Sequence, residues 1–220
     1  MPDAPSPAPG GDLPRGPLVD PASHEQATTN PWTRLSRRTA YENPWIRVHH
    51  DEVLNPAGGP GIYGVVEFRN RAVGVVPVDD AGYTYLVGQY RYALELYSWE
   101  IPEGGAPMDE DAQVSAAREL REETGLTASR WDCISRLHTS NSATDEVGWI
   151  YLARGLSHGP SDCEDTEDIA LRRLPLAEAV DMVMTGQITD AIATIGLLKA
   201  HLLLQAEATH GSLTWPGRRP

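Results

Sequence analysis

The hydrophobic pattern starts late. Residues 1 to 30 are rich in proline and nearly free of large apolar side chains, so they bury too little surface to offset the entropy of ordering and are expected to form a disordered arm. From Trp45 an alternation of period two sets in. Ile46, Val48 and His50 fall on one face and Arg47 and His49 on the other, with Val53 and Leu54 following. Asn55-Pro-Ala-Gly-Gly-Pro-Gly61 reads as a hairpin turn, because Gly and Pro supply its backbone angles. Three further strands are predicted over Ile62–Phe68, Ala72–Val78 and Tyr83–Tyr90, the last two joined by the tight turn Asp79-Asp80-Ala81-Gly82. A short strand over Tyr97–Ile101 leads into a Gly-containing loop.

The period then changes. Asp109 or Asp111 can cap a helix that runs to about Thr124, where Gly125 stops it. Strands follow over Trp131–Thr139, Glu146–Ala153 and Ile169–Leu174. Pro175 opens a helix to about Thr185, ended by Gly186. Asp190 starts the last helix, with Ile192, Ile195, Leu198 and Leu202 on one stripe. This order predicts an α/β or α+β fold, a mixed β-sheet sandwiched between helices, with an N-terminal antiparallel strand extension. One domain is expected over residues 33 to 206, made of N-terminal strands at about 45 to 68 and a catalytic part at about 70 to 206. Residues 207 to 220 are expected to form a flexible tail.

Composition narrows the function classes. The chain has 220 residues, with 18 Lys and Arg against 31 Asp and Glu, a formal net charge of −13. No excess of cations exists to neutralise a polyanion, so nucleic acid is not the expected partner. An acidic protein that handles phosphates must recruit metal cations. The N-terminus lacks the basic and apolar regions of a signal peptide. Ala191 to Leu204, interrupted by Lys199 and His201, is short for a membrane span. Cys133 and Cys163 can build neither a disulfide framework nor a four-ligand zinc site. A cytoplasmic protein with no membrane partner is expected.

The chemistry concentrates between Trp99 and Leu126. Glu119, Glu122 and Glu123 lie at i, i+3 and i+4 of the predicted helix, within an arc of roughly 100°. Three carboxylates on one face repel one another unless a cation joins them, and hard divalent ions such as Mg²⁺ or Mn²⁺ prefer oxygen ligands. Arg118 is placed at i, i+4 from Glu122 to pair with it, while Val114, Ala117 and Leu120 are available to pack on the sheet. A Glu-rich solvated face is the plainer explanation of such a helix, but the spacing weighs against it. Gly104, Glu110, Arg118-Glu119-Leu120, Glu122-Glu123 and Gly125-Leu126 satisfy G-x5-E-x7-R-E-U-x-E-E-x-G-U, with U apolar, at all nine positions. Chance delivers that with a probability on the order of 10⁻⁷ for ordinary residue usage.

By these residues the chain resembles the Nudix hydrolases. Gln89-Tyr90-Arg91, Trp99-Glu100-Ile101-Pro102-Glu103-Gly104, the acidic run Glu164 to Ile169, Leu174-Pro-Leu-Ala-Glu-Ala and Gly186-Gln-Ile-Thr-Asp190 are similar to the ADP-ribose pyrophosphatase branch. The resemblance implies Mg²⁺-dependent hydrolysis (Mn²⁺ as a substitute) of the pyrophosphate bond in ADP-ribose or a related nucleoside diphosphate sugar, giving a nucleoside monophosphate and a sugar phosphate. It implies metal binding by Glu119 and Glu123, with Glu122 assisting and the Glu103 carbonyl adding a backbone oxygen. Arg118 and Glu110 orient the loop and helix. Arg91 contacts a substrate phosphate, with Glu100, Gly104 and Glu146 also on the substrate side. The general base comes from the acidic loop, Glu167 ahead of Glu164, with Asp145-Glu146 a weaker source. A homodimer built through the N-terminal strands is implied as well. A proline that this branch carries beyond the box is replaced by Ser140-Asn141-Ser142, which leaves other nucleotide sugars open. The alternatives are a non-catalytic nucleotide-sugar-binding regulator and a Nudix hydrolase of another nucleoside diphosphate derivative or a damaged nucleotide.

Other signals carry less. Gly155-Leu-Ser-His-Gly159 matches G-x-S-x-G, but Pro160 follows where a nucleophile elbow needs a helix. His49 and His50 point to opposite faces of a strand and cannot share a metal. His138 reads as a structural histidine.

Overall fold

The computed structural model describes residues 29 to 159 and 169 to 211. Two strands appear where the pattern predicted none. β1 (Thr33–Glu42) is mostly polar and exposed at every position, and forms because it pairs antiparallel with β2 (Ile46–Leu54). β3 (Pro60–Phe68) completes this sheet in the order β1-β2-β3. β4 (Asn70–Pro77) and β5 (Tyr83–Arg91) follow, then β6 (Leu96–Glu100). The supposed loop after β6 is a second unpredicted strand, β7 (Glu103–Pro107). Its Glu-Gly-Gly-Ala-Pro sequence has no strand propensity, and pairing with β4 decides the outcome, from Asn70 opposite Pro107 to Gly74 opposite Glu103.

Helix α1 (Ala112–Thr124) is capped by Asp111, whose side chain accepts from the Gln113 amide, and ends at Gly125 with φ 69°. β8 (Leu126–His138), β9 (Val147–His158) and β10 (Ala170–Pro175) come next, then α2 (Leu176–Met184) and α3 (Ala191–His210). The central sheet runs β7-β4-β9-β8, with β4 and β9 parallel, and a third sheet runs β10-β5-β6.

The strand period divides the core in two. Val73, Val75 and Tyr151 turn to α1, where Ala112, Ala116 and Leu120 pack. Val76, Ile150 and Leu152 turn to α2 and α3. Two expected faces are corrected. Val114 does not pack on the sheet but stands 57% exposed. In α3 the buried residues are Ile192, Ala193, Gly196, Leu197, Ala200 and Leu203, whereas Ile195 and Leu202 of the expected stripe are exposed. Small residues let the helix approach: a Cβ on Gly196 would lie 3.1 Å from Ile101 and from Val76. At 20 residues α3 also outruns the apolar stretch that sequence marked, and by length and composition it could cross a membrane. Here it is a core helix lying on β4, β8, β9 and α2.

Candidate active site

α1 places its acids against β7. Glu119 and Glu122 are drawn to Arg118, each at 2.8 Å, and Arg118 also donates to the Gly105 carbonyl at 2.9 Å. The i, i+4 pair expected between Arg118 and Glu122 therefore forms, and the same guanidinium ties α1 to β7. Glu123 is 4% exposed and accepts the backbone N–H of Glu103 at 2.9 Å. Gly104 leaves the room that the Glu119 carboxylate occupies: a Cβ there would lie 2.2 Å from the carboxyl carbon, and the Glu119 side chain would have to move. Glu110 accepts the Ser115 hydroxyl at the foot of the helix.

Beside β7 lies a cavity of about 530 Å³ whose wall includes Arg91, Ser98, Glu100, Glu103, Thr189 and Asp190. Arg91 Nε reaches both Glu100 oxygens at 3.0 Å, and Nη2 reaches Glu103 at 2.8 Å. One cation thus stands among three acids. Burial raises the Glu100 carboxyl, but Arg91 together with hydrogen bonds from Ser98 and Glu103 outweighs it and the net is a downward shift. Glu103 goes the other way: burial pushes its carboxyl well up, Asp190 and Glu100 push it further, and Arg91 opposes them. Glu103 belongs to both halves of the site, with its side chain in the cavity and its amide on Glu123.

Among the described residues no group of three or more His, Cys, Asp or Glu side chains is gathered as a metal-holding set, and Arg118 engages two of the helix acids. The donor set nevertheless suits a hard divalent ion. The available donors are oxygens, Gly104 leaves the main chain open beside the Glu119 carboxylate, and Glu103 Oε2 is buried without a partner.

Other candidates separate from this cluster. Glu146 accepts the Thr139 hydroxyl, and its neighbour Asp145 accepts the Phe68 amide at 2.8 Å; neither lines the cavity. Glu164 and Glu167 lie outside the described residues. His49 pairs with Glu67 at 2.9 Å and His50 with Glu52 at 3.0 Å, both within the N-terminal sheet. Sequence reading missed Asp190 as a site residue. Its Oδ1 caps α3 at Ala193, and its legible signals were that capping role and its place at the end of the run Gly186 to Asp190. Thr189 belongs to the same run, whereas Ser98 carried no signal, since only the meeting of β6 with the α3 start brings it to the cavity.

Residues 32–66 match the nucleoside diphosphate sugar hydrolase N-terminal domain, and residues 68–193 match the NUDIX domain. The chain is 36% identical over 170 residues to an ADP-ribose pyrophosphatase of Mycobacterium tuberculosis, covering 76% of this chain and 82% of that protein. It is 34% identical over 159 residues to an ADP-ribose pyrophosphatase of Bacillus subtilis, covering 71% and 85%. A solved structure of an ADP compounds hydrolase shares the fold, with a TM-score of 0.72 and 21% identity over 82% of this chain and 97% of that one. With every position of the box occupied and the box helix laid against β7, the chain belongs to the NUDIX family of hydrolases.

Proposed function

We propose that this enzyme hydrolyses the pyrophosphate bond of ADP-ribose or a related nucleoside diphosphate sugar with the help of Mg²⁺. The observation that carries the reading is the contact of α1 with β7, where Glu119 lies against Gly104 and Glu123 holds the Glu103 amide beside a cavity large enough for part of such a substrate. Glu119 and Glu123 would hold the metal with the Glu103 carbonyl, and Glu122 would assist. A divalent cation bound there neutralises the diphosphate and lowers the pKa of water.

The remaining work falls to the chain. Arg91 presents a guanidinium in the cavity wall to a phosphate, with Glu100 fixing its orientation. Arg118 holds α1 to the Gly105 carbonyl and so keeps the acids facing β7. A carboxylate of the acidic loop, Glu167 ahead of Glu164, takes the proton of the attacking water. The new P–O bond forms as the bridging P–O bond breaks, which leaves a nucleoside monophosphate and a sugar phosphate. Purified protein incubated with ADP-ribose and other nucleotide sugars plus Mg²⁺ is expected to release AMP or its analogue. No turnover across the panel overturns the reading.

The same reading includes a homodimer in a reducing cytoplasm. Its support is the exposure of all ten residues of β1, Leu35 and Tyr41 among them, together with Ile62 of β3, and the unpaired thiol of Cys133. Light scattering at micromolar concentration is expected to give twice the chain mass, and a monomer mass refutes the dimer.

A further inference from the structure

Arg71 stands outside the box, on β4 opposite Ala106 of β7. Its Nη2 donates to the carbonyls of Pro107 at 2.8 Å, Met108 at 3.3 Å and Glu110. The guanidinium lies 5.4 Å from the centre of the Trp149 ring, and its Nε is buried without a partner. A full positive charge is therefore spent on the turn that joins β7 to α1. All three contacts come from Nη2, so an ammonium can keep some of them, but it cannot also lay a planar face over the indole, and lysine is only a partial substitute.

That turn sets the offset between the two elements of the site. On its β7 side stand the Glu103 amide, Gly104 and the Gly105 carbonyl; on its α1 side stand Glu123, Glu119 and Arg118, the respective partners. Asp111 caps the helix directly after the turn. A slip of the turn moves all three contacts together.

We propose that Arg71 is a positioning residue of the metal site: by pinning the Pro107–Glu110 turn it fixes β7 against the acids of α1. The inference rests on the metal role proposed above for those acids. The test titrates Mn²⁺ calorimetrically into the full-length protein without substrate, in wild type, Arg71→Met, Arg71→Lys and Arg154→Met. Arg154 is the comparison because it is likewise an arginine tied into the fold, paired with Asp132 and Glu207 at 2.7 Å, at the other end of β9. Arg71→Met is expected to weaken Mn²⁺ uptake by roughly tenfold or more, the scale seen when groups that orient metal ligands are lost. Arg71→Lys is expected to recover part of that loss, and Arg154→Met to lower the melting temperature with Mn²⁺ affinity unchanged.

Wild-type affinity in folded Arg71→Met overturns the proposal, as does an equal loss in Arg154→Met, which would mark general destabilisation. If Arg71→Met does not fold, Arg71→Lys decides, and unchanged affinity there is a refutation. Wild type that takes up no Mn²⁺ removes the metal reading and this inference with it, whereas normal uptake by wild type and both Arg71 variants removes this inference alone.

Discussion

The N-terminal sheet and the body that follows it are held together by different physics. In the body, two apolar clusters cover the two faces of the central sheet, and side chains such as Leu120, Ile150 and Leu197 are fully buried. In β1 to β3 the buried residues are Val53, His49 and Asp51, two of the three polar. Ladder hydrogen bonds and ion pairs join these strands: Arg37 with Asp51 at 2.7 Å, Arg47 with Glu42 at 2.9 Å and Glu67 at 3.3 Å, and His49 with Glu67. The sheet reaches the body through β3, where Val66 donates to the Ala143 carbonyl at 2.8 Å and Tyr63 to the Ser142 carbonyl at 2.6 Å. A sheet of this kind has little apolar burial of its own to oppose its ordering entropy, so its stability depends on what it touches. The body can carry chemistry because its core fixes α1 and β7, and the sheet is free to present surface.

The strongest way to sharpen this contrast is to disable chemistry without touching packing. Glu123→Gln keeps an oxygen to accept the Glu103 amide but removes a charge from the acids. It is expected to cut turnover of ADP-ribose on the order of 10³-fold with the melting temperature close to wild type, as steady-state kinetics and calorimetry would reveal. A stable variant with near-normal rate would mean that these acids are not the metal site.

Truncations in the two regions come next. Leu120→Ala empties a fully buried position under α1 and is expected to cost about 2–5 kcal/mol in denaturant unfolding. Ile62→Ala, at a side chain 68% exposed in the N-terminal sheet, is expected to cost no more than about 0.5 kcal/mol within one chain. A larger, concentration-dependent loss at Ile62 would place that face in a dimer interface. Equal losses at both sites in dilute protein would erase the contrast.

The smallest effect is that of acid on the sheet. The Arg37 guanidinium holds the Asp51 carboxyl below its usual range, against burial that raises it. A depressed folded-state pKa stabilises above the unfolded value, near 3.9, and that stabilisation fades as pH falls through the lowered value. Below about pH 4 amide exchange in β1 and β2 is therefore expected to quicken before that of β4 and β9, and Asp51→Asn is expected to flatten the dependence. Acid exchange unchanged by that substitution would show that the pair contributes little.

Local chemistry was legible along the chain wherever neighbours in sequence are neighbours in space. The nine box positions, an aspartate cap, the stop at Gly125 and the Arg118–Glu122 pair follow from helical spacing and side-chain type, and each is present, with the structure choosing Asp111 over Asp109 as the cap. Partners distant in sequence decided the rest. β1 and β7 are strands because β2 and β4 accept them, and their own side chains would not make them so. The face α3 buries is set by where Ile101, Val76 and Ile150 leave room for Gly196, since a helix apolar nearly all round does not specify its own orientation. The cavity of Arg91, Glu100, Glu103 and Asp190 joins strands to a helix start some ninety positions away, and Arg71 meets the box turn only across a sheet. Spacing along one helix is fixed by covalent geometry, whereas which strands and helices meet is settled by burial of the whole.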